Sequence, residues 1–144
     1  MIEINNTTRL AVDKKLIEFI ATETLKYFDK NDCNLSIAFV SGSAIRRLNK
    51  KLRGIDKVTD ILSYAGDGND LGELIICYKQ IIDQAPNFQQ SAENELIFIL
   101  VHGILHLLGH EDGVDSDRLK MMKLGAKIIK KISPRHTPST DSIK

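Results

Sequence analysis

The segment from Glu93 to Leu108 constrains the fold more than any other, because its residues are apolar on nearly every side. Its length is that of an ordinary globular helix and falls short of the ~20 residues that cross a bilayer. A helix without a polar face has to be surrounded by other elements. We therefore predict that this helix is buried in the middle of the fold and packs on a sheet.

The rest of the chain alternates between strand-like and helical patterns. Strands are predicted at Met1–Asn5, Leu35–Val40, Val58–Tyr64 and Leu71–Cys77, and the loop AGDGND makes the last two a hairpin-like pair. Helices are predicted after Asp13 with Leu16, Ile17, Ile20, Leu25 and Phe28 inward, after Ser41 or Ser43 with Ile45, Leu48 and Leu52 inward, and from Ser116 or Asp117 to Ile132 with Leu119, Met122, Ala126 and Ile129 inward. This mixture predicts an α+β fold, in which a small mixed sheet of about four strands packs against helices.

The composition matches one ordinary globular domain, with 144 residues of which 42% are hydrophobic and 27% charged. We expect the domain to span residues 1–133, followed by a polar, flexible tail at 134–144. The net charge of +1 excludes a global positive field as the means of attracting nucleic acid. Two distant cysteines, Cys33 and Cys77, and the lack of a leader or a membrane-length apolar run predict a cytoplasmic protein without a membrane partner.

Three of the four histidines fall within the stretch HGILHLLGHED, residues 102–112. His102 and His106 are four positions apart on the predicted buried helix, so their imidazoles share one face and can reach a common ion. Gly109 permits a turn that brings Asp112 back as a third ligand, with His110 as the alternative. Three protein ligands leave a position open for water or substrate, which is typical of a catalytic metal site.

Residues outside the histidine cluster narrow the function. Gly103 stands where zinc peptidases of the H-E-x-x-H type carry their catalytic glutamate, which argues against peptide hydrolysis. Lys120, Lys123 and Lys127 form a stripe on the last helix that either tracks an RNA backbone or is a solvated face, and we favour the solvated face. Aromatic residues amount to only 6% without tryptophan, so an extended base-stacking platform is not indicated.

Together with LNKKLRGIDKVTDILSY (48–64) and LGELIIC (71–77), the histidine stretch resembles the YbeY family of bacterial rRNA maturation factors. The resemblance spans most of the chain and preserves the order of the motifs. It implies a small α+β protein with one divalent metal ion, most often zinc, that acts as a single-strand-specific endoribonuclease. The implied roles are maturation of the small-subunit rRNA 3′ end and ribosome quality control, with RNA and the small ribosomal subunit or its proteins as partners.

The resemblance also assigns residues. Arg53 matches the arginine that the family places in its cleft, and we expect it to clamp the scissile phosphate bidentately. Asp60 and Ser63 match the strand motif as candidates that support the ligands or Arg53, and Glu73 is a weaker candidate for positioning water or lining a strand edge. The chain departs from the family at Asp112, which replaces the third motif histidine and makes a bound ion a weaker Lewis acid.

Two other functions stay open at this point. One is a ribosome-associated factor whose metal site is structural, with Asp112 marking weak or absent catalysis. The other is a metal-dependent hydrolase of another substrate, such as a peptide.

Overall fold

The computed structural model describes residues 1–110 and 113–136. Its elements in chain order are β1 (Ile2–Asn6), α1 (Lys14–Tyr27), β2 (Asn34–Phe39), α2 (Gly42–Arg53), β3 (Ile61–Ala65), β4 (Asp70–Ile76), α3 (Tyr78–Gln84), α4 (Ala92–Leu107) and α5 (Asp115–Ile132). Short 3-10 turns follow α3 at Ala85–Phe88 and α5 at Pro134–His136. The α+β architecture predicted from the sequence is confirmed.

The four strands form one mixed sheet in the order β1-β2-β4-β3. β2 pairs in parallel with both β1 and β4, whereas β3 pairs antiparallel with β4 across a tight connection, which confirms the predicted hairpin. Within the described part of the chain β3 has only β4 beside it, so one long side of β3 is an open edge of the sheet.

Side chains with strong capping preference start three of the helices. The Asp13 carboxylate accepts from the Leu16 N–H at the start of α1, and the Ser41 hydroxyl accepts from the Ala44 N–H at the start of α2. Ser91 does the same for α4. Each of these oxygens satisfies a backbone donor that the first helical turn leaves without a partner.

The sheet separates two hydrophobic clusters. The larger cluster joins α1, α4 and α5 to one face of the sheet, where Leu35, Ile37, Leu74 and Ile76 are buried. The smaller cluster joins α2 to the other face through Ile45, Leu62, Ile75 and Cys77. The arrangement is three layers deep at β4, with α2 alone on one side.

Helix α4 lies at the centre of the larger layer, as the sequence predicts, and its residues from Glu95 to Val101 are all buried. Gly103 faces the sheet so closely that a Cβ atom there would come within 2.7 Å of the Ile61 side chain and 3.0 Å of the Leu74 side chain. The missing side chain therefore sets how near α4 lies to β3 and β4.

Several details differ from the predicted elements. Helix α3 was not expected, because a run of only seven residues carries too little periodicity to be recognised. Leu52 and Leu119, predicted to face inward, are 51% and 47% exposed. The α5 helix begins at Asp115 after Val114, which offers no capping side chain, so neither Ser116 nor Asp117 is its cap, and its buried face shifts to Met121, Met122, Gly125, Ile128 and Ile129.

His136, the third residue after the predicted domain boundary, packs against the domain. His136 is only 4% exposed, and its ring lies 2.7 Å from the Ser133 hydroxyl at Nδ1 and 2.8 Å from the Glu93 carboxylate at Nε2. This contact ties the end of α5 to the start of α4. The rest of the predicted tail, 137–144, lies outside the described residues.

A search of the described helices finds none that combines the length and the apolarity needed to cross a membrane.

The contact at Gly103 can be tested against a second helical glycine. A Cβ at Gly125 would meet its nearest neighbours at 3.9 Å, an ordinary contact, so Gly125→Ala should raise the free energy of unfolding by about 1 kcal/mol through helix propensity. The free energy of unfolding of Gly103→Ala should be about 1–3 kcal/mol lower than that of Gly125→Ala, because the added methyl overlaps Ile61 and Leu74. Urea unfolding of both variants measures the difference, and equal effects would show that α4 does not press on the sheet at this point.

Candidate functional site

A cleft of about 730 Å³ runs along the open edge of β3. Its lining comes from the last residue of α2, the segment 59–65 that contains β3, one face of α4 and the first turns of α5. The cleft is therefore lined by elements from both faces of the sheet, and it lies at the edge of the sheet.

His102 and His106 lie one turn apart on α4, and both are half-buried in the cleft wall. Their ring centroids are 5.0 Å apart, with the ring planes at 77°. Phe98, one turn earlier, stacks on His102 at a centroid distance of 6.0 Å. Two imidazoles one helical turn apart in an accessible cleft are a donor set that fits a borderline divalent ion.

The chain turns sharply just after the second histidine. Gly109 has a φ of 95°, its N–H donates to the His106 carbonyl, and the His110 N–H donates to the Leu105 carbonyl, both at 3.0 Å. These two bonds form a Schellman turn, which a left-handed residue makes possible. The turn predicted at Gly109 is confirmed.

The side chain of His110 points away from the wall that holds the other two histidines. Its ring packs against Phe28 of α1 at a centroid distance of 5.6 Å, and it lines a second, smaller cavity beside Lys120. Within residues 1–110 and 113–136, no three His, Cys, Asp or Glu side chains are grouped to hold a metal ion. This placement argues against His110 as third ligand, and the preferred candidate, Asp112, lies outside the described residues.

Arg53 reaches the cleft from α2, which packs on the face of the sheet opposite to α4. It is the last residue of α2, which ends because Gly54 adopts a left-handed φ of 71°. The Asn49 amide donates to the Lys57 carbonyl at 3.0 Å and so holds the loop that follows. Among the described carboxylates none pairs with Arg53, so the guanidinium is available to an anion from outside.

Asp60 also lines the cleft, but its partner differs from the predicted ones. Its carboxylate accepts from the Gln84 amide at 2.9 Å, rather than holding Arg53 or a histidine. The same amide nitrogen donates to Glu95 at 3.0 Å, and the Gln90 amide donates to the other oxygen of Glu95 at 3.0 Å. Glu95 is 0% exposed, so a buried polar network behind the cleft connects α3, α4 and the start of β3.

The remaining strand candidates, Ser63 and Glu73, lie on opposite faces of the sheet. Ser63 lines the cleft on the side of α4, because it alternates with Ile61, whose side chain contacts Gly103. Glu73 lies on the opposite face, because Leu74 beside it points toward α4. Glu73 is also absent from the residues that line the cleft, which argues against its predicted role beside the metal ligands.

Tyr64, opposite Glu73 on the neighbouring strand, lines the cleft near Arg53. Burial raises the pKa of its hydroxyl, while the charge of Arg53 opposes and that of Glu73 adds to this shift. The hydroxyl is buried, and no described group accepts its hydrogen bond. At neutral pH it therefore stays protonated as a donor.

The lysine stripe of α5 lies away from the cleft. Lys120 lines the second cavity, and Lys123 and Lys127 are exposed, which agrees with the solvated face that we favour. The α5 residues that line the cleft are Met122 and Arg118, and Arg118 pairs with Asp115 at 2.5 Å. No motif marks Arg118 in the sequence, and only the packing of α5 on α4 brings it to the site.

The buried network makes a testable contribution to stability. Glu95→Leu leaves the Gln90 amide without its acceptor and the Gln84 amide with Asp60 alone, so the free energy of unfolding should fall by about 2–4 kcal/mol. Glu95→Gln keeps one acceptor oxygen and should lose roughly half as much. Urea unfolding provides the measurement, with the exposed Glu18→Gln as a control expected to stay within about 0.5 kcal/mol of the parent. A neutral Glu95→Leu would show that the network does not stabilise the fold.

The chain is similar in sequence to the proteins of one family. The profile of the family described as Endoribonuclease YbeY matches residues 2–133. A protein named Endoribonuclease YbeY from Finegoldia magna is 37% identical over 114 residues, which cover 75% of this chain and 74% of that protein. A protein of the same name from Thermodesulfovibrio yellowstonii is 42% identical over 107 residues, covering 69% of this chain and 67% of that protein.

A solved structure shares the fold along the whole chain. The solution structure of TM1509 from Thermotoga maritima aligns with a TM-score of 0.68 at 25% sequence identity, covering 100% of this chain and 97% of that one.

Proposed function

Because this chain belongs to the YbeY endoribonuclease family, we propose that it is a single-strand-specific, metal-dependent endoribonuclease. We assign it to maturation of the small-subunit rRNA 3′ end and to ribosome quality control in the cytoplasm. The observation that carries the proposal is the cleft itself, which combines two imidazoles at ligand spacing with an arginine that has no described carboxylate partner.

The chemistry of the two histidines supports metal dependence. His102 and His106 would hold one divalent ion, most often zinc, with Asp112 as the third ligand proposed from its spacing in the sequence. Such an ion supplies Lewis acidity toward a phosphate oxygen. Phe98 holds His102 in place by stacking, and Asp112 follows the Schellman turn at Gly109 by three residues in the sequence.

Arg53 supports phosphodiester rather than peptide chemistry. Its guanidinium can donate two parallel hydrogen bonds to a phosphate, and it stays charged throughout the reaction. Its position at the end of α2 lets it neutralise charge that develops on the phosphate oxygens. Gly103, packed against Ile61 and Leu74, leaves no room for the glutamate that zinc peptidases carry there.

The size of the cleft supports a single-stranded substrate. About 730 Å³ is the volume that encloses a drug-sized ligand, which corresponds to a nucleotide or two and not to a duplex. Recognition of RNA in such a space requires bases that are already unpaired.

Cleavage of single-stranded RNA, measured with the metal content of the same samples, tests the proposal. Arg53→Ala should lower the cleavage rate by about 100-fold or more while the metal is retained, because it removes stabilisation of charge in the transition state. His106→Ala should lose both the metal and cleavage. Arg47→Ala is the matched control, since Arg47 is exposed on the same helix outside the cleft.

Three results would overturn specific parts of the proposal. Undiminished cleavage in Arg53→Ala would remove the phosphate clamp. Full metal content in His106→Ala would remove this histidine from the ligand set. A metal-loaded parent protein that leaves single-stranded RNA intact would favour the ribosome-associated factor without catalysis.

A further inference from the structure

The open edge of β3 forms part of the cleft floor, and its main-chain groups face the space where substrate would lie. The sheet order places β3 at the edge, and the segment 59–65 lines the cleft. A ligand in this cleft can therefore contact main-chain groups of β3 as well as side chains.

The β3–β4 register fixes which main-chain groups point outward. The Cys77 N–H donates to the Asp60 carbonyl and the Gly66 N–H to the Leu71 carbonyl, so even-numbered β3 residues form the hydrogen-bonded pairs with β4. The N–H and C=O groups of Ile61, Ser63 and Ala65 then point away from β4. Among the described residues, none of these groups has a hydrogen-bond partner.

We propose that single-stranded RNA lies along this edge and is held by the main chain of Ile61, Ser63 and Ala65, an inference that rests on the proposed function. Outward N–H groups donate to phosphate oxygens, and outward carbonyls accept from ribose hydroxyls. These groups repeat about every 6.8 Å along the strand, a step close to that between successive phosphates of an extended chain.

The charges around the edge favour RNA over an extended peptide, which is the other common occupant of a strand edge. Arg53 and Arg118 both line the cleft, and Lys50 and Lys51 are exposed on the helix that ends in Arg53. This surface complements a polyanion. Main-chain contacts also explain how RNA is held without an aromatic platform and without base-specific side chains.

The test compares two variants at one position. Ser63→Ala and Ser63→Pro both remove the hydroxyl, but only the proline removes the outward N–H, and an edge strand tolerates proline where its N–H faces outward. Loss of one hydrogen bond predicts that Ser63→Pro binds a short phosphorothioate oligouridylate about tenfold more weakly than Ser63→Ala. Fluorescence anisotropy measures the affinities, and circular dichroism verifies that both variants are folded.

A second measurement uses the unmodified protein, so the proposal stays testable if the proline variant does not fold. Amide resonances of Ile61, Ser63 and Ala65 should shift and gain protection from hydrogen exchange on adding the oligouridylate. Those of Leu62 and Tyr64, which pair with β4, should change less.

The outcomes are distinct. Equal affinities of the two folded variants, or amide changes without this alternation, would overturn the inference while leaving RNA cleavage intact. Protection of the same amides by an unstructured peptide and not by RNA would overturn it in favour of a peptide partner. A parent protein that neither binds nor cleaves RNA would overturn the proposed function together with this inference.

Discussion

The close approach of α4 to the hairpin of β3 and β4 determines the rest of the structure. At Gly103 the helix backbone meets Ile61 and Leu74 without an intervening side chain. His102 precedes this contact and His106 follows it by about one turn, so the helix sets both imidazoles at the height of the β3 edge. A bulkier residue at Gly103 would move the histidines away from the strand that forms the other part of the cleft.

Two further connections hold this geometry from behind. Glu95 and the two glutamine amides join the N-terminal half of α4 to α3, and through Gln84 they reach Asp60 at the start of β3. At the helix start, Glu93 contacts the buried ring of His136. The cleft is therefore built on a helix fixed at several points along its length, a suitable support for ligands that must keep their spacing.

Much of the fold follows from local sequence patterns. The apolar character of 93–108 predicts the buried helix, and the Gly-rich loop between two strand patterns predicts the hairpin, because each depends on residues close together in the chain. The spacing of His102 and His106 likewise predicts a shared face, since four residues make about one helical turn. The position of Arg53 in the cleft agrees with the expectation drawn from the family resemblance.

What the sequence does not predict depends on how distant elements meet. Asp60 contacts Gln84 rather than Arg53, Glu73 lies on the far face of the sheet, and Arg118 reaches the cleft from α5. None of these follows from periodicity, because each is decided by strand order, register or helix packing.

The anomalous diffraction of zinc-loaded crystals tests the central claim most directly. We predict one zinc peak per chain in the cleft, coordinated by His102, His106 and Asp112, whereas a peak at His110 or none in the cleft would contradict it.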